Sequence, residues 1–136
     1  MIRFGTGGWR AVIGQDFTEE NVRKVGAGIA QWLTAAYRKK TVFIGYDRRM
    51  WSKEASEWLA DTLSHAGIEV LVSNTYIPSP AAMYYVQSNN LDCGLMVTAS
   101  HNPSEYNGIK VFTAGGRDAV EGVTDDIERY IDTINP

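Results

Sequence analysis

The chain has 136 residues, of which 44% are hydrophobic and 11% aromatic, which fits one globular domain with a hydrophobic core. Its formal net charge of -3 at pH 7 argues against a general attraction to nucleic acid or to an anionic membrane, so any anion site has to be assembled from scattered cations. Cys93 is the single cysteine, which excludes an internal disulfide, and its apolar neighbours favour a core position.

Helical patterns alternate with short apolar runs in the first half of the chain. Residues 1–17 begin with a glycine-rich stretch that is typical of an irregular or edge segment. Thr18 is expected to cap a first helix that ends near residues 37–40. The apolar run at residues 41–45 predicts a strand that is buried on both faces, and Ser52 is expected to cap a second helix.

The alternation continues in the second half of the chain. The pattern predicts strands at residues 68–72 and 91–97, a returning strand at 109–113, a short helix that opens at Pro78 and Pro80, and a final helix with an apolar stripe over residues 120–134. Together these elements predict a three-layer α/β/α sandwich with a mixed, mostly parallel sheet. The last strand is expected to be antiparallel because it follows directly on its predecessor.

Polar chemistry is concentrated where the strand at residues 91–97 stops. Residues 98–103 read Thr-Ala-Ser-His-Asn-Pro, in a connection long enough to suggest a functional loop. A serine hydroxyl is a weak nucleophile without a base, and no Gly-x-Ser-x-Gly elbow surrounds Ser100. The sequence therefore favours a Ser100 that carries a phosphoryl group, with Lys110 and, if folding brings it near, Arg10 as cationic partners.

Three motifs of this chain resemble those of the α-D-phosphohexomutases, the phosphoglucomutase and phosphomannomutase family. The family pattern Thr-Ala-Ser-His-Asn-Pro, followed by Asn-Gly-x-Lys, is met at residues 98–110. The opening Phe-Gly-Thr-Gly-Gly-Trp-Arg at residues 4–10 resembles Phe-Gly-Thr-x-Gly-x-Arg, and Gly-Tyr-Asp-Arg-Arg at residues 45–49 resembles Gly-x-Asp-x-Arg. The resemblance implies that residues 1–136 are domain I of a larger four-domain isomerase.

The resemblance also implies roles for individual residues. Ser100 would be the phosphoserine, exchanging its phosphoryl group with hexose 1-phosphate and 6-phosphate through a bisphosphorylated sugar. His101, Lys110 and Arg10 would join it as catalytic residues that transfer protons or steady the phosphate. The phosphate-binding set would comprise Thr98, Asn102, Asn107 and Arg49. Asp47 and Arg49 lie where ligands gather at strand ends, but they could equally serve to fix the next helix.

The family's magnesium ion would contact this chain only through the phosphate on Ser100, because the main ligands are expected in the second domain. Hexose phosphates, hexose bisphosphates and the remaining domains are the expected partners, without nucleic acid or membrane. The chain shows neither a signal-peptide pattern nor an apolar run long enough for a membrane span, so we expect a cytoplasmic location. The chain by itself is expected to fold but to lack turnover.

Two alternatives remain open on the sequence. A non-catalytic phosphosugar-binding module could use the same loop without forming a covalent phosphate. A scaffold domain could carry the loop as an inert surface feature. Neither the identity of the hexose nor the oligomeric state follows from these residues.

Overall fold

The computed structural model describes residues 2–37 and 40–134. Within these ranges the strands are β1 (Gly8–Val12), β2 (Thr41–Tyr46), β3 (Glu69–Val72), β4 (Cys93–Val97), β5 (Tyr106–Thr113) and β6 (Arg117–Asp118). The helices are α1 (Glu19–Ala36), α2 (Ser52–His65), α3 (Ser79–Ser88) and α4 (Glu121–Ile134). Met1, positions 38 and 39 near the predicted end of the first helix, and the final positions 135 and 136 of the predicted domain lie outside the described residues.

The strands form one mixed sheet in the order β1-β5-β4-β2-β3, with β6 pairing to β5. Strand β2 pairs in parallel with both β3 and β4. Strand β5 pairs antiparallel with β4, β1 and β6, so it runs against all the other strands of the sheet. The predicted fold class is confirmed, including the reversed strand at residues 109–113, which lies within β5.

Helices cover the sheet on both faces. Helices α1, α2 and α4 bury the larger core, whose fully buried members include Leu33, Leu59 and Ile127. Helix α3 packs on the opposite face against a smaller core that contains Phe43 and Met96. The two cores account for the three layers, because β2, β4 and β5 supply apolar side chains to both faces of the sheet.

The first predicted cap is confirmed and the second is wrong. Thr18 precedes α1, and its side chain accepts a hydrogen bond from the backbone N–H of Asn21 at 3.2 Å. The residue before α2 is Trp51, in a left-handed conformation with φ of 69° and without a side-chain cap. Ser52 is instead the first helical residue. It is fully buried, and its hydroxyl donates to Asp47 at 2.7 Å.

Glycines in α1 allow close approach of two neighbouring helices. A Cβ at Gly28 would overlap the Ile131 side chain of α4, and one at Gly26 would lie 3.3 Å from Leu59 and Thr62 of α2. These glycines therefore serve helix packing, because a side chain at either position would press on the neighbouring helix. Among the described residues, no helix is both long and apolar enough to cross a membrane.

The outer strands β1 and β6 can be compared with the predictions. Strand β1 is an edge strand, in agreement with the irregular or edge segment predicted there, whereas the two-residue strand β6 was not predicted. The single cysteine lies in the central strand β4. Cys93 is fully buried, as expected, and burial raises the pKa of its thiol. A thiol that stays protonated in the core is unreactive.

Candidate functional site

The candidate site lies at the carboxyl ends of β2 and β4. Two loops meet there: the arginine loop, residues 47–51 after β2, and the serine loop, residues 98–105 after β4. The backbone N–H of Asp47 donates to the Val97 carbonyl at 3.1 Å and so joins the starts of the two loops. Crossover topology creates this arrangement, because parallel neighbours end at the same edge of a sheet.

Ser100 is exposed and has a left-handed backbone, with φ of 52°. Its N–H donates to the Thr98 hydroxyl at 3.0 Å, and the N–H of Asn102 donates to the Ala99 carbonyl at 3.0 Å. A non-glycine residue in this conformation costs about 1–3 kcal/mol, which the surrounding contacts have to offset. The serine hydroxyl is thus presented to solvent from a backbone that is held in an unfavourable but defined conformation.

The guanidinium of Arg49 is the main contact that holds the serine loop. One terminal nitrogen donates to the carbonyls of Pro103 at 2.8 Å and Tyr106 at 2.9 Å, and the other donates to those of Ser100 at 2.8 Å and Asn102 at 2.6 Å. The side chain is only 16% exposed. All four N–H groups of the two terminal nitrogens are therefore used by backbone oxygens of this loop and of the first residue of β5.

A partly buried hydrogen-bond network supports the backbone of Arg49. Asp47 Oδ1 accepts from the Arg49 backbone N–H at 3.0 Å and from the Ser52 hydroxyl at 2.7 Å. The Asn107 amide donates to the Ser52 hydroxyl and to the Met50 carbonyl, both at 2.9 Å, and its oxygen accepts from the next N–H of β5. Asn107 is fully buried and braces the two loops. The phosphate contact predicted for it stays a prediction.

Two cations lie on the α3-side face of β1 and β5, each opposite a glycine. Arg10 pairs with Gly108 and Lys110 pairs with Gly8, and directly paired residues of antiparallel strands share a face. A Cβ at Gly108 would lie 3.0 Å from Arg10 Cγ, and one at Gly8 would lie 3.2 Å from Lys110 Cγ. The missing side chains leave room for both long cationic stems to lie across the neighbouring strand.

This cationic pair is close to the start of the serine loop in the sheet. The Thr98 N–H donates to the Gly108 carbonyl at 2.9 Å, so Arg10, Gly108 and Thr98 form one row across three neighbouring chain segments. At the usual strand spacing, the backbones of Arg10 and Thr98 are about 10 Å apart. Lys110 lies two residue pairs deeper, on the same face.

The two cations differ in their partners. Lys110 Nζ lies 3.3 Å from Asp118 Oδ1 of β6, and its side chain is 17% exposed. Among the described residues, Arg10 lies within ion-pair distance of no acidic side chain. Arg10 therefore has its guanidinium charge available to an anion, while Lys110 shares its charge with a half-exposed carboxylate.

Arg48 lies beside the site, although the sequence alone predicted no specific role for it. It lines a cavity of about 420 Å³ together with Asp47, Arg49, Asn102 and Ser104. Its guanidinium also lies 4.8 Å from the centroid of the Tyr76 ring. The adjacent Arg-Arg pair was the available signal, but the sequence does not distinguish the inward Arg49 from the exposed Arg48.

The structure groups the predicted site residues into two sets. Five of them form one hydrogen-bonded assembly of the two loops: Thr98, Ser100, Asn102, Asn107 and Arg49. His101 is exposed beside Ser100, while Arg10 and Lys110 lie on the sheet face described above. No group of three or more His, Cys, Asp or Glu side chains suited to a metal ion occurs within residues 2–37 and 40–134.

Comparison with known proteins identifies the relatives of this chain. The sequence profile of the family described as phosphoglucomutase/phosphomannomutase, alpha/beta/alpha domain I, matches residues 1–136. The chain is 38% identical over 139 residues to a phosphoglucomutase of Staphylococcus epidermidis and 34% identical over 137 residues to one of Staphylococcus saprophyticus. Each alignment covers 98% of this chain and 25% of the relative, so the chain spans about a quarter of their length.

Solved structures give the same result. A Thermus thermophilus protein, provisionally assigned as a phosphomannomutase, superposes with a TM-score of 0.92 at 29% identity, covering 96% of this chain and 30% of that one. The open form of the Paramecium exocytosis-sensitive phosphoprotein pp63/parafusin, a phosphoglucomutase, superposes with a TM-score of 0.88 at 25% identity. That alignment covers 98% of this chain and 26% of the Paramecium chain.

Proposed function

Since this chain belongs to the phosphoglucomutase/phosphomannomutase family, as its alpha/beta/alpha domain I, we propose that Ser100 carries the phosphoryl group that the full-length enzyme exchanges with a hexose phosphate. One observation carries the proposal: Ser100 is an exposed serine whose backbone is fixed in the left-handed region. Backbone strain of this kind is concentrated at functional sites. A serine in an inert surface loop would have no need of it.

The proposed reaction has two balanced halves. In the first, a sugar hydroxyl attacks the phosphorus of phospho-Ser100, a new P–O bond forms to the sugar, and the bond to Ser100 Oγ breaks. The proton of the sugar hydroxyl leaves to a base, and Ser100 Oγ regains a proton. In the second half, Ser100 Oγ gives its proton to a base and attacks the other phosphoryl group of the bisphosphorylated sugar. A P–O bond to Ser100 forms, the P–O bond to the sugar breaks, and the sugar oxygen takes up a proton. This restores the phosphoserine and releases the isomeric monophosphate.

Charge neutralisation is the main task of the protein in phosphoryl transfer. Arg10, whose guanidinium has no acidic partner among the described residues, and Lys110 are proposed to face the transferred phosphate. His101, exposed beside Ser100, is proposed as a proton-transfer or phosphate-steadying group. Thr98 contributes by accepting the Ser100 N–H, and Asn102 by lining the cavity beside the serine loop.

Much of the proposed active site lies outside this chain. The chain spans about a quarter of its curated relatives, and its described residues supply no metal-ligand cluster, so sugar selection and the main magnesium ligands are assigned to other domains. Bound magnesium would supply charge neutralisation at the phosphate. In this chain only the phosphoryl oxygens on Ser100 would reach it. A cytoplasmic location remains a prediction from the sequence.

A direct test follows the phosphoryl group on the protein. Full-length protein is incubated with a hexose bisphosphate, and the intact mass is measured with and without substrate. We expect one phosphoryl group per chain, at Ser100. When hexose monophosphate is added, it should be isomerised while the phosphoserine is regenerated in each turnover. The variant Ser100→Ala should show neither the modification nor isomerisation.

Two results would count against this assignment. If a phosphosugar binds and Ser100 never becomes modified, the chain is a binding module. If Ser100→Ala leaves isomerisation unchanged, the serine loop is inert and the catalytic group lies elsewhere.

A further inference from the structure

We infer that Arg49 is a positioning residue for Ser100, in place of the phosphate contact that its motif suggests; the inference rests on the proposed function of Ser100. The arginine and serine loops are separate in sequence and meet only through the fold. Arg49 makes the contact between them through three hydrogen bonds of 2.6–2.8 Å to main-chain carbonyls of the serine loop, and a fourth, of 2.9 Å, reaches the Tyr106 carbonyl at the start of β5. No other side chain among the described residues makes as many contacts to the serine loop.

The contacts determine the direction in which the Ser100 side chain leaves the backbone. The Ser100 carbonyl accepts from Arg49 at 2.8 Å, and its N–H donates to Thr98 at 3.0 Å. Both polar backbone groups of the residue are therefore anchored on opposite sides of its Cα atom. With φ held at 52°, the side chain retains freedom only in its own torsion angles.

The charges around Arg49 favour this role over binding a phosphate. Four carbonyl oxygens converge on one planar guanidinium, and their partial negative charges would repel one another without the cation. Asp47 adds a carboxylate whose Oδ2 lies 3.8 Å from Arg49 Nε. A phosphate at the same place would be repelled by the four carbonyl oxygens and by the Asp47 carboxylate. It would also have to displace hydrogen bonds that are already formed.

The geometry also requires arginine at position 49 and would not be satisfied by lysine. The guanidinium presents its N–H groups in a rigid fork, whereas a lysine ammonium is a compact charge with three donors on a flexible stem. Lysine at this position would retain the charge but would not reach all four carbonyls together. The hydrogen-bond network of Asp47 with the buried Ser52 and Asn107 fixes the backbone from which the guanidinium projects.

The inference is tested with Arg49→Lys and Arg49→Ala in the full-length protein. The matched control is Arg23→Lys. The Arg23 guanidinium is likewise held by oxygen atoms, in ion pairs with Glu19 and Asp61, but it lies on α1, away from the two loops. We expect both Arg49 variants to load Ser100 more slowly from a hexose bisphosphate, by about 100-fold for misplacement of a reacting group. The KM for hexose monophosphate should change little, and the control should match the parent.

A second measurement is independent of activity. Hydrogen exchange is followed in the present chain for the peptide that covers residues 98–106. Arg49→Lys should accelerate exchange in this peptide and leave exchange in α1 unchanged, whereas Arg23→Lys should leave the 98–106 peptide unchanged. The lysine variant decides the matter if Arg49→Ala does not fold.

The outcomes separate the two claims. A normal loading rate and normal loop exchange in Arg49→Lys would overturn the positioning role, even if Ser100→Ala abolishes activity. A large rise in KM with kcat retained would overturn it in favour of a phosphate contact. If Ser100 is never phosphorylated, the proposed function fails, and the exchange measurement still tests whether Arg49 holds the loop.

Discussion

At the scale of single residues, the site combines two strand glycines with two cations. Arg10 and Lys110 lie across from Gly108 and Gly8, and both glycines are positions where an added Cβ would press on the cationic stem or on main-chain atoms. Lys110 also pairs with Asp118 at 3.3 Å. Because Asp118 is 46% exposed, solvent screens this pair, and its contribution to the free energy of unfolding is small.

Lys110→Ala should therefore separate stability from function. We expect the free energy of unfolding to fall by less than about 1 kcal/mol, as for other partly exposed ion pairs. The rate of phosphoryl transfer through Ser100 should fall by about 100-fold if Lys110 neutralises the transferred phosphate. Urea denaturation and loading kinetics in the full-length protein measure the two effects.

A suitable control for that variant is Lys24→Ala. Lys24 is also ion-paired, to Glu20 at 3.3 Å, but lies on α1. Both quantities should remain close to the parent values in this control. A Lys110→Ala protein that unfolds, or one that transfers the phosphoryl group normally, would show that the role of Lys110 has been misassigned.

At the scale of the elements, α1 is the helix on which the others of its layer pack. Gly28 faces Ile131 and the Ile127 carbonyl of α4 so closely that no side chain fits between them. Arg23 of α1 reaches Asp61 of α2 at 2.7 Å on the surface, and this hydrogen bond lowers the pKa of the Asp61 carboxyl. The apolar contact dominates, since both charged groups are solvated.

Gly28→Ala is expected to destabilise the chain by about 1–3 kcal/mol, the usual effect of overpacking a core. Gly122→Ala is the matched control, because a Cβ at Gly122 in α4 meets no atom within 4 Å. That variant should not be destabilised, and the higher helix propensity of alanine should stabilise it by up to about 1 kcal/mol. Urea denaturation of the present chain measures both, and equal stabilities would contradict the close packing of α1 on α4.

At the scale of the whole molecule, the chain has its own hydrophobic core but an open site. The larger core contains fully buried residues from the central strands and from α1, α2 and α4, including Ile44, Leu59 and Ile127. Ser100 and His101, in contrast, are exposed at the sheet edge. A core of this kind supports independent folding, whereas an exposed serine loop does not exclude water from a phosphoryl-transfer reaction.

The isolated chain should therefore unfold cooperatively and yet catalyse no isomerisation of glucose 1-phosphate. Calorimetry tests the first expectation and a coupled assay tests the second, with the full-length enzyme as the positive control. Measurable isomerisation by the chain alone would contradict the assignment of sugar and metal binding to other domains. A broad, non-cooperative transition would contradict independent folding.

The sequence alone determined the order of the four helices and of the strands β2 to β5, the Thr18 cap and the presence of a serine loop, because these depend on neighbouring residues and on helical or strand periodicity. It misassigned Ser52 as a helix cap, since the hydroxyl is used by Asp47 instead. Only the tertiary structure decided that Asn107 is buried and that Arg49 holds the serine loop. These contacts join residues about 50 positions apart, where no local pattern exists, and they depend on which strands end side by side.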